Sequence, residues 1–319
     1  MRKVLALAAI LAMTASAEIR IEKVNFKGWP NSYRMTNGEV EVVVTSDIGP
    51  RVMRYGFVGG QNMFWEDPAG LGKSGEAEWQ LRGGHRVWIG PEDIKYTYGP
   101  DNSPCEVKQD GDALVATSAV EPMTGVQKQL IIRMNPKGTG VRITHRLYNK
   151  TNMPLEYAVW VLTMMAPGGT GITGFPPRGT HPKDLPPTNP LIMWAFSDLT
   201  DKRWTFTKKY MMLRQDVNNS TPTKLGHFNA KTWGAYLLGS DLFVKRYDAD
   251  PSKTYPDFGA SYETFTNEKF LEIETMGPLL KVPSGTYIEH IERWSLDKGV
   301  KVPSWTDEEI DKNVLPHIE

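Results

Sequence analysis

Eleven consecutive residues, Gly83-Gly84-His85-Arg86-Val87-Trp88-Ile89-Gly90-Pro91-Glu92-Asp93, gather an imidazole, a guanidinium, an indole and two carboxyls. Tyr96 and Tyr98 follow. An imidazole exchanges a proton near neutral pH, so His85 suits an acid or a hydrogen-bonding role toward a hydroxyl. Polar and flat apolar groups set side by side on a glycine-rich turn suit a ligand that is polar at its edges and apolar on its faces, such as a sugar. Phe270-Leu271-Glu272-Ile273-Glu274-Thr275 supplies the partner chemistry. In a strand Glu272 and Glu274 leave one face while Leu271 and Ile273 leave the other. A base there needs a pKa raised toward the working pH, by burial or by the other carboxylate. Glu263 adds a third acid on an adjoining strand.

Trp88, Trp160 and Trp233 have the faces to stack on sugar rings, although such residues also fill sandwich cores. Arg86, Lys224 and Lys245 could pair with a carboxylate or phosphate on a sugar. Other chemistries lack their signatures. No Gly-x-Ser-x-Gly elbow occurs. The six histidines show no metal-ligand spacing, and Gly168-Gly169-Thr170-Gly171 lacks the lysine of a phosphate loop. Neither a metal nor a cofactor is expected. Cys105 is the only cysteine, so no internal disulfide forms.

The elements that must position these groups are strands. Period-two alternation and β-branched runs recur at Glu39–Val44, Arg51–Phe57, Ala113–Val120, Gln127–Met134, Gly140–Tyr148, Leu155–Met165, Thr232–Leu238, Leu242–Tyr247, Lys269–Thr275 and Thr286–Ser295. Only Thr306–Val314 reads as a helix, with Thr306 as its N-cap. The pattern predicts an all-β fold, a large antiparallel β-sandwich with few short helices. The proline-rich stretch Gly171–Pro190 is expected to be an irregular loop at the rim of the site.

Residues 1–17 carry a basic start, an apolar run and Ala15-Ser16-Ala17, the pattern of a cleaved signal peptide. Residues 18–319 are expected to form a single domain, exported to a periplasm or secreted, with no membrane span after cleavage. Lys and Arg together number 37 and so do Asp and Glu, a balance that argues against nucleic acid as a partner.

Three blocks in order, Asp47-Ile48-Gly49-Pro50-Arg51-Val52, Gly59-Gly60-Gln61-Asn62-Met63-Phe64 and Gly84-His85-Arg86-Val87-Trp88, resemble aldose 1-epimerase-related proteins. So do Leu271 to Leu279, Val282-Pro283-Ser284-Gly285-Thr286 and Glu292-Arg293-Trp294 near the other end. The chain is similar to an exported branch of the galactose mutarotase-like superfamily. That resemblance implies a β-sandwich whose concave sheet holds a sugar, with Glu274 matching the general base and His85 the earlier of two site histidines. Trp160 stands roughly where the second histidine is expected.

Three readings follow. One is a carbohydrate-binding protein whose polar floor includes His85, Arg86 and Glu274, with Trp88 and Trp160 near the rim. Another is a mutarotase-like enzyme with Glu274 as base and His85 as acid. The third is an interaction scaffold without a sugar ligand. Arg86, Trp88, Glu92, Trp160, Glu263, Glu272, Lys224 and Lys245 are the expected binding residues in the first two.

Overall fold

The computed structural model describes residues 18–318, so the expected signal peptide lies outside the described residues. Two antiparallel sheets stack face to face. In the first, the strands run Arg20–Phe26, Trp29–Thr36, Val40–Thr45, Arg51–Phe57, His85–Gly90, Leu155–Met165, Leu271–Met276, Tyr262–Thr266, Thr223–His227 and Leu191–Met193. Leu280–Val282 also pairs with the start of the Leu155 strand. The second runs Trp204–Phe206, Tyr210–Arg214, Thr170–Gly174, Trp233–Leu238, Asp241–Tyr247, Tyr287–Asp297, Val141–Asn149, Val126–Met134, Ala113–Val120 and Glu106–Asp110. This is the expected all-β sandwich.

Side chains alternate across each sheet, so every strand of the first sheet sends one set inward and the other outward. The inward set joins one apolar cluster with the second sheet, including Val52, Val87, Val161, Ile273, Phe243 and Trp294. The C-terminal helix spans Asp307–Asn313, and the Thr306 hydroxyl caps it by accepting from the Glu309 N–H at 3.3 Å. It covers the outer face of the second sheet, where Ile310 and Val314 meet Trp233 and Tyr210 in a separate apolar cluster.

Two expectations need correction. The segment after Gly84 is no surface turn: His85–Gly90 is an interior strand between Arg51–Phe57 and Leu155–Met165. The turn is the Gly83-Gly84 pair that precedes it, with φ of 87° and 73°. A Cβ at Gly83 would stand 2.2 Å from the Trp65 carbonyl oxygen, and one at Gly84 2.5 Å from that of Val52, so only glycine fits. The proline-rich stretch also starts later than expected, since its first residues belong to the strand Thr170–Gly174.

Candidate functional site

Register decides which side chains meet. Leu162 pairs with Arg86 on one side and with Glu274 on the other, and Trp160 pairs with Trp88. Glu274 pairs in turn with Glu263, and Glu272 with Phe265, which pairs with Lys224. Cross-strand partners share a face, so Arg86, Trp88, Trp160, Glu272, Glu274, Glu263 and Lys224 all leave the outward face of the first sheet. Loops roof this face and leave a cavity of about 360 Å³, within the usual range for small-ligand sites. Its walls include Trp79, Tyr98, Trp194, Phe196 and Phe270, and Arg86, Glu92, Lys224, Asn267 and Glu272 supply its polar groups.

His85 pairs with Val52 and Thr163, one residue out of step with Arg86, and faces the opposite way into the sandwich. The expected His85–Glu274 couple therefore does not form, because the sheet itself lies between them. Adjacent strand residues cannot both belong to one floor. Lys245 is likewise removed from the groove: it belongs to the second sheet, is fully buried and pairs with Glu292 at 2.9 Å. The loop after Gly174 contributes nothing to the groove lining, and Trp160 lies in the floor at 2 % exposure rather than at the rim. Trp233 joins the cluster beneath the C-terminal helix.

In the groove floor, Lys224 Nζ lies 2.6 Å from Glu263 Oε2 and 3.0 Å from Glu274 Oε2. The Trp160 indole N–H donates to that same Glu274 oxygen at 2.8 Å. Burial opposes the charge on Lys224, but Glu263 and Glu274 outweigh it and hold the ammonium above its ordinary pKa. Burial pushes Glu263 well up, reinforced by Glu274 and Asp257 and opposed by Lys224. Of that pair we take the lysine to be charged and Glu263 to be protonated, since one ammonium cannot offset two carboxylates sealed from water. Glu272 is pushed up to about 8, first by burial and then by Glu274, so it holds its proton at neutral pH. Glu272 lines the cavity and Glu274 does not. Of these two strand acids, the one that can touch a ligand is thus Glu272.

Aromatic faces carry the two cations. The Arg86 guanidinium lies 3.9 Å from the Trp88 ring centre and 5.3 Å from that of Trp79. Lys224 Nζ lies 5.0 Å from Trp160 and 4.6 Å from Trp194. Next to the acids, Asp257 and Phe258 adopt left-handed φ values of 48° and 60° in succession, a strain that non-glycine residues rarely carry.

A second polar cluster fills the space between the sheets. His85 Nε2 lies 2.8 Å from His145 Nε2, and with Glu292 these residues bring three metal-ligand atoms within 4.8 Å of one another. Sequence spacing gave no sign of this, because the three residues lie on three separate strands. The hydrogen bonds, however, close without an ion. Burial lowers His145 to about 4 and His85 well below its usual value, so both rings are neutral. His145 Nδ1 faces the His290 carbonyl oxygen at 3.0 Å and must donate, which leaves its Nε2 to accept from His85. His85 Nδ1 then accepts from the Thr163 hydroxyl at 2.8 Å, and that oxygen accepts from Lys245 at 2.6 Å. Glu292 accepts from Lys245, from Thr275 at 2.5 Å and from the Trp294 N–H at 2.8 Å. Every candidate ligand atom has a protein partner.

A larger cavity, about 580 Å³, lies on the outer side of the second sheet between Trp233 and the C-terminal helix. Its acids, Asp307 and Asp311, already bond Lys209 and Tyr210, so the buried acid chemistry lies in the first groove.

Trp79, Trp194, Phe196, Phe265 and Phe270 escaped the sequence reading as site residues. Phe265 lies two residues from Glu263 and Phe270 two from Glu272, so alternation places each on the face of its glutamate; Trp79, Trp194 and Phe196 arrive on loops that no periodicity marks.

No protein-family model and no curated protein sequence matches the chain. Solved structures do. The Slr1438 protein of Synechocystis sp. PCC 6803 superposes with a TM-score of 0.56 at 12% identity, over 87% of this chain and 100% of that one. A galactose mutarotase-like protein from Lactobacillus casei gives 0.53 at 8% identity, over 84% and 100%. A galactose mutarotase related enzyme from Lactobacillus acidophilus gives 0.52 at 9% identity, over 86% and 98%. The chain has the galactose mutarotase-like fold.

Proposed function

We propose that this is an exported carbohydrate-binding protein whose ligand lies in the groove over Arg86, Trp88, Trp160 and Glu272. One observation carries the reading: a cavity walled by aromatic rings holds at its floor a guanidinium and a carboxyl whose pKa burial raises. Flat apolar walls suit the C–H faces of a pyranose, and the acid and guanidinium suit its hydroxyls. The similar solved structures described as galactose mutarotase-like support a sugar over other ligands of this size. Calorimetry against neutral and acidic mono- and oligosaccharides tests it. Saturable heat is expected, and a Trp88→Ala variant should weaken binding about tenfold or more. Absence of heat across the panel leaves the scaffold reading.

Turnover is a second reading, favoured by Glu272 alone. A carboxyl titrating near 8 is suited to donate a proton at neutral pH. In that case Glu272, and not His85, is the acid. Exchange NMR between anomers would detect the reaction, and Glu272→Gln should abolish it; exchange unaltered in that variant would exclude this role.

A further inference from the structure

Arg86 is 3 % exposed, yet it is almost without partners. Among the described residues its only hydrogen bond is a long one, 3.4 Å from Nη1 to the Leu81 carbonyl oxygen. Its Nε has no partner, and the nearest groove carboxyl, Glu272, stands 3.9 Å from Nη2 without a hydrogen bond. The other buried arginines differ at their Nη groups, although Nε is also unpartnered in Arg51 and Arg82. Arg51 reaches Asp101 at 2.6 Å and the Gly83 carbonyl at 2.6 Å. Arg203 has Asp201 and the Thr221 carbonyl. Two more donors beside Arg86, the indole N–H groups of Trp79 and Trp88, are also buried without acceptors. A buried guanidinium normally meets a carboxylate or several carbonyls, since leaving it unpaired is costly.

We propose that the groove is built for an acidic sugar, a uronate, whose carboxylate pairs with Arg86 beside the Trp79 and Trp88 N–H groups. The inference rests on the carbohydrate reading above and deepens it. Stacking on Trp88 leaves the edge of the guanidinium plane as its donor side, the geometry that a flat carboxylate matches with two parallel bonds. A single negative charge is favoured over a phosphate dianion, because Glu92 also lines the cavity and Lys224 is already held by Glu263 and Glu274. Glu272, protonated at neutral pH, does not compete for the arginine. It is faced by Glu274 on its own strand, by Arg86 and Lys224 from the strands one further out on either side, and by Glu92 from the loop after His85–Gly90. As it ionises, it supplies the anion that Arg86 lacks and displaces the ligand.

The test is calorimetry with D-glucuronate and D-galacturonate, their neutral amides, and glucose 6-phosphate. At pH 7 the uronate should bind at least about tenfold more tightly than its amide. In Arg86→Met that ratio should fall to near one, and in Arg86→Lys to an intermediate value. If Arg86→Met does not fold, the wild-type ratio still decides, together with its expected decline between pH 7 and 9. Equal binding of uronate and amide overturns the acidic-sugar inference and leaves the carbohydrate reading intact. Tighter binding of the phosphate overturns the carboxylate assignment. No binding by any sugar, neutral oligosaccharides included, overturns both.

Discussion

Lys224 is the residue on which the groove floor depends electrostatically. It lies within 3.0 Å of two acids whose side chains are wholly buried, and a Trp160 N–H shares one of them. Removing the ammonium strands Glu274 without a counter-charge, beside a Glu263 that is already protonated. Lys224→Met is therefore expected to cost about 3 kcal/mol or more, the usual penalty for breaking rather than replacing a buried ion pair. Urea unfolding at pH 7 checks this, and a loss below about 1 kcal/mol would mean that Glu263 and Glu274 need no cation. Lys224→Met combined with Glu274→Gln should recover part of the loss, because the second change removes an unpaired charge. At this scale the sequence was partly legible. Glu272 and Glu274 on one face followed from alternation alone. Which of them meets the ligand did not, because that depends on Lys224 and Trp160, reached only through strand pairing.

At the scale of the strand, the same period-two rule that placed the glutamates together should have separated His85 from Arg86. The strand His85–Gly90 divides its side chains between a ligand groove and a sealed polar core, so one short segment serves two clusters of different chemistry. The buried imidazoles, three in the core cluster and His227 outside it, set an acid limit. Burial lowers His145 to about 4, His290 to about 3 and His227 to about 4, and depresses His85 as well. The unfolded chain titrates these rings near 6.5, so below that pH it binds protons that the native state refuses. Their contribution is complete above about 6.5 and is lost as pH falls toward 4. Glu272 and Glu263 act in the opposite sense. Raised carboxyls favour the native state at low pH, and for Glu272 that contribution is lost as pH climbs from the ordinary carboxyl range through 8. Four imidazoles outweigh two carboxyls between pH 6 and 5, where stability should fall by about 2 kcal/mol per pH unit. Urea melts across that range measure the slope, and His145→Gln should lower it by roughly one proton. A flat profile would contradict the burial of neutral rings.

Across the whole molecule, the strand-rich sequence with its turn punctuation was enough to give the sandwich, and Arg51–Phe57, Ala113–Val120 and Leu155–Met165 match the expected bounds. What stayed hidden was long-range order: the Tyr287–Asp297 strand pairs with Val141–Asn149, and Leu155–Met165 joins His85–Gly90 to Leu271–Met276. No local pattern encodes such pairings. The same architecture separates stability from binding. The C-terminal segment packs on the outer face of the second sheet, with Ile310 and Val314 fully buried and Arg246 donating to the carbonyls of His317 and Ile318. The groove lies on the outward face of the first sheet, with the full apolar core between them. Ile310→Ala opens a cavity beneath the helix and should cost about 2–5 kcal/mol. Changes at distant sites without shared partners act independently, so sugar affinity in the folded variant should stay within about twofold of wild type. Thermal unfolding and calorimetry on the same preparation read both quantities. A variant that lost affinity while still folded would mean that the two sheets are energetically coupled rather than merely stacked.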